Sequence, residues 1–309
     1  MNYANVFFID NVPNDEIAAL KDNKEFHVID QLGTYYVGFN VQSKMFDGKT
    51  PEQAAKMREA ISLLIDRQYI VENVGQTGQI PADSFVPEGM ADGNGGVFKT
   101  ADTSYYDATA TGAGELETAK GLLEEAGYTF TDNGDGTYAI DPAISMTYLT
   151  NDGTGHIAVA ESVQQDVALL GINLEIKSED WNVFLEDRKS GNFTIAREGW
   201  LADYNDPVNM LEIFTSDSGN NDMQLGKGTP VSSSPDWTAY DELIDQIRTT
   251  TDFAARVDLM HQAEDMLMDT WAVVPIYYYN DIYMQKSNVT GIYATVFGMK
   301  YFMYATKTA

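Results

Sequence analysis

The chain contains no cysteine. That excludes a disulfide framework, thiolate nucleophiles and cysteine-ligated metals. Histidine is nearly as scarce: His27, His156 and His261 are the only three in 309 residues, and no two stand at a metal-ligand spacing. Cations are few as well, with 19 lysines and arginines against 47 acids and a formal net charge of -28. Nucleic-acid binding needs a basic surface that neutralises phosphates, so this balance argues against it, and an anionic membrane surface is repelled. No run of 18 apolar residues exists, which excludes a membrane-spanning helix. No secretory signal is visible, since residues 1–10 read as a strand. Nucleophile elbow, P-loop and G-x-G-x-x-G patterns are all missing. Carboxylates are so dense that a pair of them carries no catalytic meaning. The sequence predicts a binding protein, with no enzyme activity and no cofactor.

What remains is an ordinary globular composition, 44% hydrophobic and 12% aromatic, ample for a sizeable core. The pattern alternates strands and helices. Residues 4–9, 25–30 and 34–40 read as strands, with a short helix over 14–21. Thr50, Pro51 and Gln53 form a capping box with proline at the first helical position. The apolar face Met57, Ile61, Leu64 and Ile65 then carries a helix to Tyr69 or beyond. A second amphipathic helix from Leu116 stops at Gly127. Residues 132–137 (DNGDGT) predict a hairpin turn rather than a calcium loop, because Gly134 and Gly136 stand where carboxylate ligands are needed. Strand 144–149, a helix from His156 to Leu170 and strand 172–177 make a crossover unit with parallel strands. A helix from about Asp180 and a strand over 192–196 follow. Residues 215–235 read as a mobile surface loop, helices span about 236–249 and 252–270, and the tail is β.

The stretch AREGWLADYNDP, 196–207, leaves the carboxyl end of a strand, where open α/β sheets gather ligands. Trp181, Trp200 and Tyr204 offer flat walls with polar handles. Arg197 and Arg188 are two of few cations, and a guanidinium grips a carboxylate bidentately. Asp203 suits an ammonium. Together they describe a pocket for a zwitterion. The competing reading is an internal ion pair of Arg197 with Glu198 or Asp203, with both tryptophans in the core.

The segment DWNVFLEDRKSGNFTIAREGWLADYNDP, 180–207, resembles the oligopeptide-binding proteins of ABC importers, the extracellular solute-binding proteins of the peptide/nickel type. TYYVGFN (34–40), MREAISLLIDRQYIVENV (57–74), GLLEEAGY (121–128) and VVPIYYYN (273–280) are similar too. The resemblance spans nearly the whole chain, yet covers only the C-terminal half of such proteins. It implies a type II periplasmic-binding-protein lobe with a mixed sheet flanked by helices, plus a partial first lobe. The implied division is 1–33 as first-lobe remnant with hinge, 34–270 as the ligand-binding lobe, and 271–309 as a β tail returning toward the hinge. Signal sequence, lipid-anchor cysteine and N-terminal lobe are expected outside these residues.

The resemblance also implies roles. Asp203 meets the peptide α-amino group, and Trp200 and Trp181 wall side-chain pockets. The backbone of Gly199 and Leu201 pairs with the peptide as an added strand. Arg197, Arg188 and His156 meet the carboxyl ends of peptides of different lengths. Gly75 stands where some relatives carry a lysine for longer peptides. The implied partners are an oligopeptide and the permease and ATPase of an importer, in an extracytoplasmic setting. The alternatives are a dipeptide, a nickel chelate, an oligosaccharide or a signalling peptide.

Overall fold

The computed structural model describes residues 6–308. The elements run in chain order as β1 (Phe8–Ile9), α1 (Asn14–Leu20), β2 (Phe26–Phe39), α2 (Pro51–Leu64), α3 (Arg67–Tyr69), α4 (Leu116–Glu125) and the hairpin β3 (Thr129–Asp132) and β4 (Tyr138–Asp141). They continue as β5 (Ser145–Asn151), α5 (Thr154–Ala168), β6 (Asn173–Glu179), α6 (Trp181–Lys189), β7 (Ile195–Leu201), α7 (Val208–Leu211), α8 (Thr238–Thr249), α9 (Phe253–Asp269) and β8 (Val273–Gln285). Four two-residue strands close the tail. Residues 4 and 5 of the first expected strand lie outside the described residues.

Six strands form one mixed sheet in the order β1-β8-β2-β7-β5-β6. The β5-α5-β6 unit is parallel as its spacing predicts, while β2 runs antiparallel to both of its neighbours, β8 and β7. One face carries the core of Tyr35, Val37, Ile61, Leu123, Val163 and Val274, supplied by α2, α4 and α5. The other face packs Tyr36, Phe214, Ile244, Leu267 and Val273 against α7, α8 and α9. A separate small core of Val12, Ile17 and Met284 surrounds α1.

Local chemistry sets several ends as expected. Thr50 Oγ1 accepts from Gln53 N at 3.2 Å, and Thr50 N donates to Gln53 Oε1 at 3.1 Å. Gly127 ends α4 at φ 94°, a conformation that side chains resist. Asp252 caps α9. Other ends differ. Strands 25–30 and 34–40 are one strand, β2, whose register to β8 shifts between Asp30 and Thr34. The helix from Thr50 breaks at Ile65, which is extended, and restarts where Asp66 accepts from Tyr69 N at 2.8 Å. Buried Arg67 closes that break, donating to Ser62 O at 2.9 Å, Ser62 Oγ at 2.8 Å and Pro275 O of β8 at 2.7 Å. The segment 215–235 is not a surface loop throughout. Asn221 is buried and donates to the carbonyls of Phe214, Thr215 and Leu225, which turns Met223 and Leu225 into the second core.

Glu264 is buried on α9 and accepts from Phe85 N at 3.0 Å and Val86 N at 2.7 Å. Burial pushes its carboxyl up to about 7, although both amides favour the anion. The folded chain therefore keeps this proton at pH values where the unfolded chain has lost it. The resulting stability falls as pH rises from the ordinary carboxylate range to about 7. Glu264→Gln keeps an acceptor for the two amides and cannot ionise. Its melting temperature should match the wild type near pH 4 and exceed it increasingly up to pH 8. A difference that does not change with pH in thermal melts would contradict this.

Candidate functional site

Strand β7 builds the site. It pairs with β2 along its whole length, but with β5 only through Ile195 and Ala196. Beyond Ala196, β5 and β7 part, and among the described residues no strand covers the other edge of β7. The parity of that edge follows from two bonds. Ala202 N donates to Leu32 O at 2.8 Å, and Asn40 N donates to Thr194 O at 3.0 Å. Both are pairs in the β2–β7 register, so the even-numbered residues of β7 turn their amide and carbonyl toward β2. Arg197, Gly199 and Leu201 turn theirs to the open edge. Two successive positions, Gly199 and Leu201, thus present free donors and acceptors to an extended chain. The expected strand at 192–196 is displaced toward the carboxyl end, and Arg197 to Leu201 are strand rather than loop. Charged and glycine residues there hide the apolar alternation by which strands are read.

Side chains alternate across the two faces of β7. On one face Arg197 lies 5.5 Å from the Tyr35 ring centroid, and Tyr35 stacks on Tyr277 at 4.7 Å and His156 at 5.6 Å. His156 Nδ1 is 3.3 Å from the Tyr35 hydroxyl. Burial, with Arg197 adding to it, lowers the imidazole to about 4, so at neutral pH it offers a hydrogen bond and no charge. Arg197 forms no ion pair with Glu198 or Asp203 among the described residues, and its Nε is buried without a hydrogen-bond partner. The internal salt bridge considered above is absent, because position 197 projects to the Tyr35 face while Asp203 lies beyond the strand end. The Tyr279 hydroxyl stands over Gly199, where any Cβ would collide with it.

The opposite face holds Glu198 and Trp200. Buried Glu198 meets Arg188 Nη1 at 2.8 Å, and Arg188 Nε lies 2.8 Å from Asp222. Burial pushes the Glu198 carboxyl up to about 8 despite that guanidinium. Arg188 is not the free cation the sequence suggests. It is engaged by two buried carboxylates from β7 and the 215–235 segment, neither of which its neighbours in sequence disclose. Trp200 packs half-buried against the second core, with Nε1 donating to Asn209 Oδ1 at 3.3 Å. Asp203 is exposed and without an ion pair among the described residues, and its N–H donates to the same Asn209 oxygen at 2.8 Å. Trp200, Asp203, Asn209 and Arg248 share the wall of one cavity. Tyr204 is exposed and donates to Glu212 at 3.0 Å.

Trp181 is 49% exposed at the start of α6, so it is no core residue and is free to serve as a wall. Gly75 and His156 line another cavity, beside α1. Tyr35, Tyr279 and Asn209 lie against the candidate site without a sequence signal, the tyrosines because they reach it from other strands and Asn209 because the turn after β7 folds it back. Among the described residues no group of three histidines or acids is placed to hold a metal ion.

The model of the bacterial extracellular solute-binding proteins, family 5 Middle, matches residues 4–222. The oligopeptide-binding protein OppA of Bacillus subtilis is 32% identical over 295 residues, covering 94% of this chain and 48% of that protein. The periplasmic oligopeptide-binding protein OppA of Salmonella typhimurium is 32% identical over 287 residues, covering 91% and 46%. The chain spans about half the length of the curated relatives it matches. Among solved structures, the substrate-binding domain of an oligopeptide ABC transporter from Bacillus anthracis superposes with a TM-score of 0.77 at 25% identity, covering 99% of this chain and 55% of that one. Haemophilus influenzae OppA in complex with the peptide RPPGFSPFR gives 0.71 at 26%, covering 92% and 50%. The mixed sheet flanked by helices is the type II periplasmic-binding-protein architecture. With its matched region spanning five of the six strands of the sheet and the helical layer of α2, α4 and α5, the chain belongs to the bacterial extracellular solute-binding proteins of family 5.

Proposed function

We propose that this chain is the binding component of a peptide ABC importer and supplies one of two lobes that close on an extended oligopeptide. The observation that carries the reading is the open edge of β7, five residues long and ending beside the Asp203 carboxylate, which has no ion pair among the described residues. An extended peptide adds a strand there, its backbone bonded to Gly199 and Leu201 and its ammonium at Asp203. Arg197 and His156 take the carboxyl end, and Trp181 and Trp200 wall the side chains. Backbone recognition makes the site tolerant of peptide sequence. The peptide-binding names of the relatives support this reading. The register shift between Asp30 and Thr34 suits a hinge at the proposed boundary near residue 33, with α1 and its small core on the far side. A permease and an ATPase are the proposed partners, and the proposed place is outside the cytoplasm, on a lipid anchor or in a periplasm.

Calorimetry with tri-, tetra- and pentapeptides tests this, using the protein as expressed from its gene. All three lengths should bind, and Gly199→Val should weaken all three by about tenfold or more, because its side chain collides with the Tyr279 hydroxyl and displaces the strand or the ring beside the edge. No peptide binding up to millimolar concentration overturns the reading. Full-strength binding by a folded Gly199→Val protein removes β7 from it.

A further inference from the structure

Trp200 ends β7, and Asp203 and Tyr204 lie in the turn that follows. One residue of α7 gathers all three. Asn209 Oδ1 accepts from Trp200 Nε1 at 3.3 Å and from the Asp203 N–H at 2.8 Å. An amide oxygen has two lone pairs, and both are in use. The Tyr204 hydroxyl, bonded to Glu212, also neighbours the Asn209 amide. Asn209 is 4% exposed, so its own side chain is held by packing rather than free to turn away into solvent.

Asn209 is itself fixed. Asp206 takes two hydrogen bonds from Arg256, at 2.8 and 3.0 Å. The same carboxylate accepts from Val208 N at 3.0 Å, and the Asp206 carbonyl accepts from Asn209 N at 3.0 Å. The first turn of α7 is therefore tied to α9, and Asn209 stands on it as a post. No other side chain bonds either Trp200 Nε1 or the Asp203 N–H among the described residues.

We propose that Asn209 is a positioning residue for capture of the peptide amino terminus. It sets the Asp203 carboxylate and the Trp200 indole at a fixed offset from the β7 edge, so that one extended chain meets all three together. A pre-set carboxylate spares the ordering cost that a loose turn would add to each binding event. The proposal rests on the peptide reading above.

The test compares a free-amine tripeptide with its N-acetylated form by calorimetry, in the wild type, Asn209→Leu, Asn209→Ser and Asn209→Asp. In the wild type the acetyl group should weaken binding at least tenfold. Asn209→Leu and Asn209→Ser should lose at least tenfold for the free amine and less than threefold for the acetylated peptide, so that the discrimination collapses. Asn209→Asp keeps the acceptor oxygen and should retain most of the discrimination. The serine side chain is too short to bridge and small enough to fold, which covers a failure of the leucine variant. Equal losses for both peptides mark a merely structural role and overturn the proposal. So does retained discrimination in both Leu and Ser variants. If no unmodified peptide binds the wild type, the peptide reading itself falls. If peptides bind but acetylation costs nothing, Asp203 is not the amine site and the inference falls alone.

Discussion

Asp203→Ala is expected to lower the affinity for a free-amine tripeptide by about a hundredfold, the scale on which removing one partner of a charge pair weakens a complex. The carboxylate is exposed and has no ion pair among the described residues, so its charge is unspent in the empty protein. The turn is held through the Asp203 backbone by Asn209, and the side chain is not needed for the fold. The melting temperature should therefore stay within about 2 °C, as for surface substitutions away from packed features. Calorimetry reads the affinity and thermal unfolding reads the fold. Asp203→Asn keeps the shape without the charge and should bind nearly as poorly as alanine. Binding within threefold of the wild type by a folded alanine variant would remove Asp203 from the site.

Arg67→Leu should be strongly damaging to stability. Its guanidinium is buried and donates to the carbonyls of Ser62, Ile65 and Pro275 and to the Ser62 hydroxyl, with Tyr106 stacked 4.4 Å from its centre. These bonds join the break after α2 to β8, which forms part of the floor beneath the site. Removing them strands several buried acceptors at once, a loss of about 3 to 5 kcal/mol. The melting temperature should fall by roughly 10 °C. Arg248→Leu, which removes exposed ion pairs to Glu212 and Asp245, should shift it by less than about 2 °C. A loss below 1 kcal/mol for Arg67→Leu in denaturant titration would show that the break is held by other contacts.

Features set by neighbouring residues were readable in the sequence. The Thr50 capping box, the Gly127 stop, the hairpin at 132–137 and the parallel unit around α5 depend on chemistry within a few positions. The position of β7 was not readable, because Arg197, Glu198 and Gly199 interrupt its apolar alternation. The burial of Asn221 was not readable either. A segment rich in serine, asparagine and glycine gives no hint that one amide gathers three carbonyls inside a core. In the site, residue types pointed to Arg197, Trp200 and Asp203 as a group. They could not show that Arg188 is committed to Glu198 and Asp222, nor that Tyr279 and Asn209 take part. Those facts depend on contacts across 30 or more residues, on which face of a strand a side chain occupies or, for Asn209, on how the turn after β7 folds back over six to nine residues.

An unpaired strand edge is normally a hazard, since it invites pairing between molecules and aggregation. The open stretch of β7 belongs to a strand inside the sheet order, starting where its pairing with β5 stops. The exposed run is only five residues long and carries the charge of Arg197, and a short, charged edge gives another molecule's strand little to pair with.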